Sequence, residues 1–502
     1  MRSLVWFRSD LRADDNRALD QAVRDADRGV VAAFVISARQ WQEHDWADIK
    51  VEFLLRNLAC LSERLKRLNI PLRILRSADR TRHARGGTPG PALACGVRPG
   101  APSAHRFADV PQALLTLARE LRCDALYFNR EYEVNEARRD AAVAQAFEQA
   151  GLAVRTFDDQ TIVPPNAVRT KQNTFYAVFT PFARAWGAWV EEHGAEPLPT
   201  PRRQPQMACA ADPIPENLPG FVLSRGRPDL WPAGERVAQR RLGEFIDEQI
   251  GHYKKLRDFP AVDGTSRLSP YLTLGVLSPR QCLAEAREAN GGPLTAGTAG
   301  PATWIRELVW REFYRHVLVG FPRVSMNRAF KVETERVPWR TDEDDFRAWC
   351  EGRTGVPIVD AAMRQLAATG WMHNRLRMIV AMFLTKDLLI DWRWGERHFM
   401  RQLIDGDLAS NNGGWQWSAS TGTDAAPYFR IFNPYAQSRR FDPQGEFIRQ
   451  WVPELSGLDG PAIHDPSALR PSAHQEWRYP APLCDHAAAR QRAIAAFSGL
   501  RR

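Results

Sequence analysis

Val30–Ile36 reads VVAAFVI, seven apolar residues with no polar break. A strand with one wet face alternates; a short, unbroken apolar run is what a strand buried on both faces requires. Its surroundings narrow the choice further. Leu4–Phe7 (LVWF), Leu72–Leu75, Ala125–Phe128 and Ala153–Phe157 are further short strand candidates. A segment patterned on Asn16, Leu19 and Val23, and then Val51–Leu68, Val110–Leu121 and Glu136–Gly151, repeat at helical spacing between them. Strand and helix in alternation predict a Rossmann-like parallel α/β sheet with right-handed crossovers over residues 1–160. Residues 79–106, rich in Gly, Pro, Arg and Ala and without a hydrophobic period, read as a flexible surface insertion in this domain.

A second unit is required, because 502 residues exceed what one core organises. Residues 161–233 are Pro-rich (PLPTPRRQP, ADPIPENLPG) and read as a long interdomain linker with one helix around Phe182–Glu192. From Gly234 onward the patterns are helical, so 234–502 is expected to be all-α. The fold class predicted is therefore α/β plus all-α.

Charge and cysteine content bound the function. The net charge of +9 fits a polyanionic partner but does not select one. No apolar run reaches the ~18–20 residues of a membrane span. The opening MRSLVWFRSDLRADDN carries charges inside its apolar stretch, unlike a signal peptide, and the cytoplasm is the expected compartment. The seven cysteines are scattered and show no CxxC or Cys/His ligand spacing; reduced thiols and no metal site are expected. GxGxxG, Walker A, GxSxG and HExxH are absent.

Four segments concentrate polar and aromatic chemistry. Asp263–Leu272 (DGTSRLSPYL) packs Thr265, Ser266, Arg267 and Ser269 into five residues ahead of a helix, which suits either a phosphate or an ordinary N-cap. In WIRELVWREFYRH, Trp304, Glu307, Leu308 and Arg311 share a helix face and Trp310 lies at its edge; a polar cavity and a simple Glu–Arg surface pair both fit. In GWMHNRLRMIVAM, Asn374, Arg377 and Met378 line either a pocket or plain packing. Asp405–Arg430 (DGDLASNNGGWQWSASTGTDAAPYFR) places Trp415 and Trp417 beside Asp and Asn, as for a planar aromatic ligand.

Together with LVWFRSDLRADDN, these ordered segments resemble the photolyase/cryptochrome family, and most nearly the class I cyclobutane pyrimidine dimer photolyases of bacteria. The resemblance covers nearly the whole chain apart from 79–106 and the last ~20 residues. It implies FAD buried in the helical domain. Tyr253, Thr265, Ser266, Arg267, Leu268 and Ser269 match its phosphate side. Trp304, Glu307 and Arg311 match the helix between flavin and DNA. Asn374, Arg377, Asp405, Asp407 and Asn411 match the isoalloxazine side, with Arg377 and Asp405 as an ion pair and Asn411 at flavin N5. The activity implied is light-driven repair. Excited reduced FAD lends an electron to a flipped-out dimer, and the electron returns after the ring splits. Arg257, Glu307, Trp310, Arg311, Asn374, Met378 and Trp417 match the DNA and lesion contacts, with Glu307 hydrogen-bonding the bases. Trp415, Trp392 and Trp339 match a chain that photoreduces the flavin.

The resemblance also implies an antenna. Asn135 and Glu136 match the 5,10-methenyltetrahydrofolate site of folate-type relatives. The family's Cys-Lys pair on its far side appears here as Ser325-Met326, which leaves deazaflavin or no antenna open. Asn374-Arg375 stands where (6-4) enzymes carry a histidine pair, favouring the cyclobutane substrate. A monomer acting on double- or single-stranded UV-damaged DNA is expected. The competing reading is a cryptochrome-type blue-light photoreceptor without repair.

Overall fold

The computed structural model describes residues 1–77, 109–294, 297–468 and 479–501; the insertion read at 79–106 lies outside the described residues. Five parallel strands form one sheet in the order β3-β2-β1-β4-β5: β1 Ser3–Phe7, β2 Val30–Ile36, β3 Leu72–Arg76, β4 Ala125–Asn129 and β5 Ala153–Phe157. The burial follows from that order. β1, β2 and β4 sit inside and every residue in them is buried; β3 and β5 form the edges and are partly exposed. Val5 pairs with Ala32 on one side and Tyr127 on the other, so β1 is the centre of the sheet. Strand order reverses there. In open α/β sheets the crevice beyond the carboxyl ends of the strands at such a point is where ligands bind.

The described chain beyond Gly234 is helical. Its longest element is the 22-residue helix Ala299–Gly320. Residues 161–233 are laid against the core rather than strung between two bodies. Ile162 and Val163 are buried, and both of their N–H groups donate to the buried carboxylate of Glu312, which also accepts from Trp186 Nε1 at 2.7 Å. Phe179, Phe182 and Trp186, on the helix Phe179–His193, belong to one apolar cluster that also contains β1, β2 and Ala299–Gly320.

Two further devices lock sheet and helices together. Gly275 adopts φ +61, and a Cβ there would lie 2.2 Å from the Ser9 carbonyl oxygen; only glycine lets the chain pass this close to the loop after β1. Leu11 N–H donates to Leu274 O at 3.0 Å beside it. Arg12, Asp15, Asp159 and Arg280 form a buried network, with Arg280 2.6 Å from Asp159 and 2.9 Å from Asp15, and Arg12 paired with Asp159. Desolvated charges persist only when so fully paired. Among the described residues, no helix is long and apolar enough to cross a membrane.

Candidate active site

The segment Asp263–Leu272 does not spend its hydroxyls on a cap. The short helix Ser269–Thr273 is preceded by Leu268, whose side chain enters the core and makes no capping bond. Arg267 holds φ 49, the left-handed region that a long side chain rarely adopts. The hydroxyls beside it face inward partners. Trp304 Nε1 lies 3.4 Å from Ser266 Oγ; Ser269 Oγ donates to Asp405 Oδ2 at 2.6 Å and lies 3.4 Å from Trp371 Nε1. Thr265 is half-buried in the same turn. Tyr253 packs edge-on against Phe245, which in turn contacts Trp304 at 5.2 Å.

Arg377 closes this nest. Its Nη2 donates to Asp405 Oδ2 at 2.7 Å and its Nε to Met372 O at 2.8 Å. Asn374 opens the helix Asn374–Met382 and is exposed. The preceding His373 caps that helix through Nδ1, and burial pushes its ring down to about 4, so it stays neutral. Asn411 Nδ2 donates to the carbonyl of Glu396 at 2.9 Å and to its carboxyl at 3.2 Å. Burial, helped by Asp45, raises that carboxyl to about 7.

Two expected members stand elsewhere. Asp407 caps the helix Leu408–Ala419 through Ser410 N–H and pairs with Arg315 at 3.0 Å; it lines the interdomain cavity described below, and its carboxylate is taken. Arg311 donates to the carbonyls of Gln160 (2.7 Å) and Leu272 (3.2 Å). Burial and the neighbouring Arg315 lower its pKa to about 9. The simple Glu307–Arg311 pair is likewise replaced: Glu307 pairs with Arg257 at 2.5 Å.

That pair begins a charged rim. Arg375 Nη2 lies 2.8 Å from Asp258 and its Nη1 lies 3.8 Å from Met378 Sδ, while the Arg257 guanidinium sits over the Tyr253 ring. Aromatic walls continue from it. Trp310 stacks on buried Phe179 at 3.5 Å with 2° between planes, and Phe313 meets both edge-on. Trp417 is half-buried, and its carbonyl accepts from Ala426 N–H. Trp415 and Trp392 are buried in a second apolar cluster against which half-buried Trp339 packs. Trp415 lies between Phe399 (5.0 Å) and Trp349 (5.9 Å), and Trp339 meets Phe497 at 5.8 Å.

A separate cavity of about 220 Å³ opens where sheet and helices meet, beyond the carboxyl ends of β1, β2 and β4. Asn135 Nδ2 lies 3.1 Å from His44 Nε2, and Glu136 accepts from Gln40 Nε2 at 2.6 Å. Burial raises Glu136 to about 7 and Glu133 to about 8, whereas Arg139 and Arg8 overcome burial and hold Glu131 down at about 2. Ser325 Oγ accepts from Val134 N–H, and Met326 is exposed. The cavity still has a lysine. Buried Lys50 donates to Gly406 O at 2.6 Å and lies 3.6 Å from the centre of the Trp46 ring; desolvation lowers it to about 8.

Lys50, Glu396 and Trp371 are the residues that reading the sequence missed. Glu396 left a usable signal, since it stands four residues after Trp392 on an apolar helix face.

The nest fits a flavin dinucleotide in two respects. Asp405 Oδ1, a buried acceptor, and Arg267 Nε, a buried donor, have no partner among the described residues. Family models agree: one described as DNA photolyase matches residues 3–202, and one described as the FAD binding domain of DNA photolyase matches 304–499. A deoxyribodipyrimidine photo-lyase of Salmonella typhimurium is 44% identical over 506 residues, covering 99% of each chain. The chain belongs to the DNA photolyase family. That of Escherichia coli is 43% identical over 500 residues, again 99% of each. Among solved structures, a bacterial class III photolyase from Agrobacterium tumefaciens superposes with a TM-score of 0.82 at 34% identity, covering 100% of this chain and 98% of its own. The photolyase fold thus supplies the two layers found here, and FAD is the cofactor of the helical one.

Proposed function

We propose that this chain repairs cyclobutane pyrimidine dimers in DNA with blue light. The observation that carries the reading is the inner face of the helix Ala299–Gly320. Within two turns it presents Trp304 to the Ser266 hydroxyl, Glu307 to the rim pair and Trp310 to an aromatic wall. One helix thereby links the nest around Ser266 to the charged and aromatic rim.

Tyr253, Thr265, Ser266, Arg267 and Ser269 would hold the phosphate side of FAD, and Arg377, Asp405 and Asn411 its ring. The chemistry FAD supplies when bound is a photo-excited electron, lent to the dimer and then returned. The rest falls to side chains. Arg257 and neighbouring cations hold the backbone, with an affinity that falls as salt rises. Trp310 and Trp417 receive the dimer extruded from the helix, at a cost reduced by its poor stacking and pairing. Met378 touches its edge. Glu307 accepts a hydrogen bond from the base and orients it. Trp415, Trp392 and Trp339 pass an electron inward from the surface, because indole is readily oxidised.

Asn135 and Glu136 would bind an antenna, with 5,10-methenyltetrahydrofolate the first candidate. Burial raises both Glu133 and Glu136, which favours the protonated form that can donate to a heteroaromatic ring. Lys50 offers the cation lost at Met326. We further propose a cytoplasmic monomer that accepts single-stranded as well as duplex DNA. Relatives 43–44% identical along the whole chain carry the photo-lyase name, which favours repair over the photoreceptor reading.

The test is an oligonucleotide with one thymine dimer, incubated with reduced protein in blue light and in darkness. Light-dependent return of thymine is expected. No repair by flavin-loaded protein sinks the reading.

A further inference from the structure

Glu307 and Arg257 occupy an unusual position for two groups expected to touch DNA, because they already hold each other. Arg257 Nη1 is 2.5 Å from Glu307 Oε1, with side chains 20% and 32% exposed. Arg257 Nε is 3.9 Å from Asp258, and Asp258 is claimed by Arg375 at 2.8 Å. Among the described residues, Arg257 is the ion-pair partner of Glu307. A carboxylate can only accept hydrogen bonds.

We propose that the Arg257–Glu307 pair is the element by which this site distinguishes an extruded dimer from intact duplex. The inference rests on the reading of Arg257 as a backbone contact and Glu307 as a base contact. A phosphate that engages Arg257 draws charge away from Glu307. In intact duplex the bases stay stacked, so Glu307 is left facing an anionic backbone with its counter-charge shared. Breaking the Arg257–Glu307 pair without a replacement donor for Glu307 opposes binding. In damaged duplex the flipped pyrimidine brings an imide N–H to Glu307 as Arg257 turns to the phosphate, and the carboxylate keeps a donor throughout. Glu307 therefore works twice, against undamaged DNA and for the lesion. An asparagine or glutamine in its place would do only the second.

The experiment compares dark binding of undamaged and dimer-containing duplexes of one length by fluorescence anisotropy. The proteins are wild type, Glu307→Gln, Arg257→Gln and the double variant, all FAD-loaded, with flavin retention reporting the fold. Glu307→Gln should tighten undamaged DNA about fivefold and should not tighten dimer DNA, lowering the discrimination ratio by at least that factor. In the Arg257→Gln background the same change should leave undamaged binding within about twofold, because the coupled partner is gone. Equal tightening in both backgrounds would reduce the effect to long-range charge and overturn the proposal. So would no tightening in either. If Glu307→Ala repairs dimers with wild-type yield, the base-contact reading falls with it. If repair drops while undamaged binding is unmoved, only the discrimination role falls.

Discussion

The flavin nest and the interdomain cavity are both lined by buried charge, and they manage it in opposite ways. Around Asp405 the polar groups are paired. Arg377 and Ser269 share one carboxylate oxygen, and the other is left as an unpaired acceptor. Around Glu136 charge is reduced, because burial raises Glu133 and Glu136 to about 8 and 7 and lowers Lys50 to about 8. The first arrangement is a fixed electrostatic field built for one cofactor. The second is a set of groups whose charge depends on pH and on what enters. On the proposed function, the difference separates a site that would hold a ring in one place for electron transfer from one that need only keep a chromophore nearby.

The comparison can be broken most sharply at Asp405. Asp405→Asn leaves the part-buried Arg377 guanidinium without its carboxylate partner. Purified protein should lose most of its flavin absorbance. Glu136→Gln in the same assay should keep the flavin and lose only antenna. Equal flavin retention in both variants would erase the distinction.

A smaller effect is expected at the rim. Glu307→Ala should lower repair yield about tenfold, the loss of one charge-assisted hydrogen bond, with flavin still bound. An unchanged yield would remove Glu307 from the reaction. Trp339→Phe should slow photoreduction of oxidised flavin several-fold yet spare repair by chemically reduced protein. Should repair fail there as well, Trp339 serves packing against Phe497 and not electron entry.

The smallest effect belongs to the cavity. Glu133 and Glu136 have folded-state pKa values of about 8 and 7, above the usual carboxyl value. Between about pH 5 and pH 8 the folded state therefore binds more protons than the unfolded chain, and their contribution to stability declines as pH rises. Urea midpoints should fall across that window, less so in Glu136→Gln. A midpoint that rises with pH in both proteins would contradict the assigned protonation.

How legible this was in the sequence follows the same division. β2 was readable residue for residue, since an unbroken apolar run between turn signals admits few alternatives, and β5 was read at the bounds it has. The flavin-side motifs were readable because they are short and contiguous: Ser266 to Ser269 arrive in one turn. Contacts spanning fifty residues or more were not. Nothing in the local pattern pairs Arg257 with Glu307, sends Arg311 to the carbonyl of Gln160, or turns Asp407 toward Arg315. Helical spacing gives the face on which a side chain stands, and the partner comes from the packing of other helices. Lys50 was hidden in the same way, as a lysine beside an apolar helix face usually extends its ammonium to water.

The most direct measurement of the central claim is the number of dimers repaired per flavin in anaerobic, chemically reduced, antenna-free protein under continuous blue light, with no reductant in excess. The account predicts many thymine dimers restored for each flavin, with the flavin still reduced at the end, because the electron is lent and returned. Repair that stops at one dimer per flavin, or that requires the interdomain cavity to be filled, would contradict it.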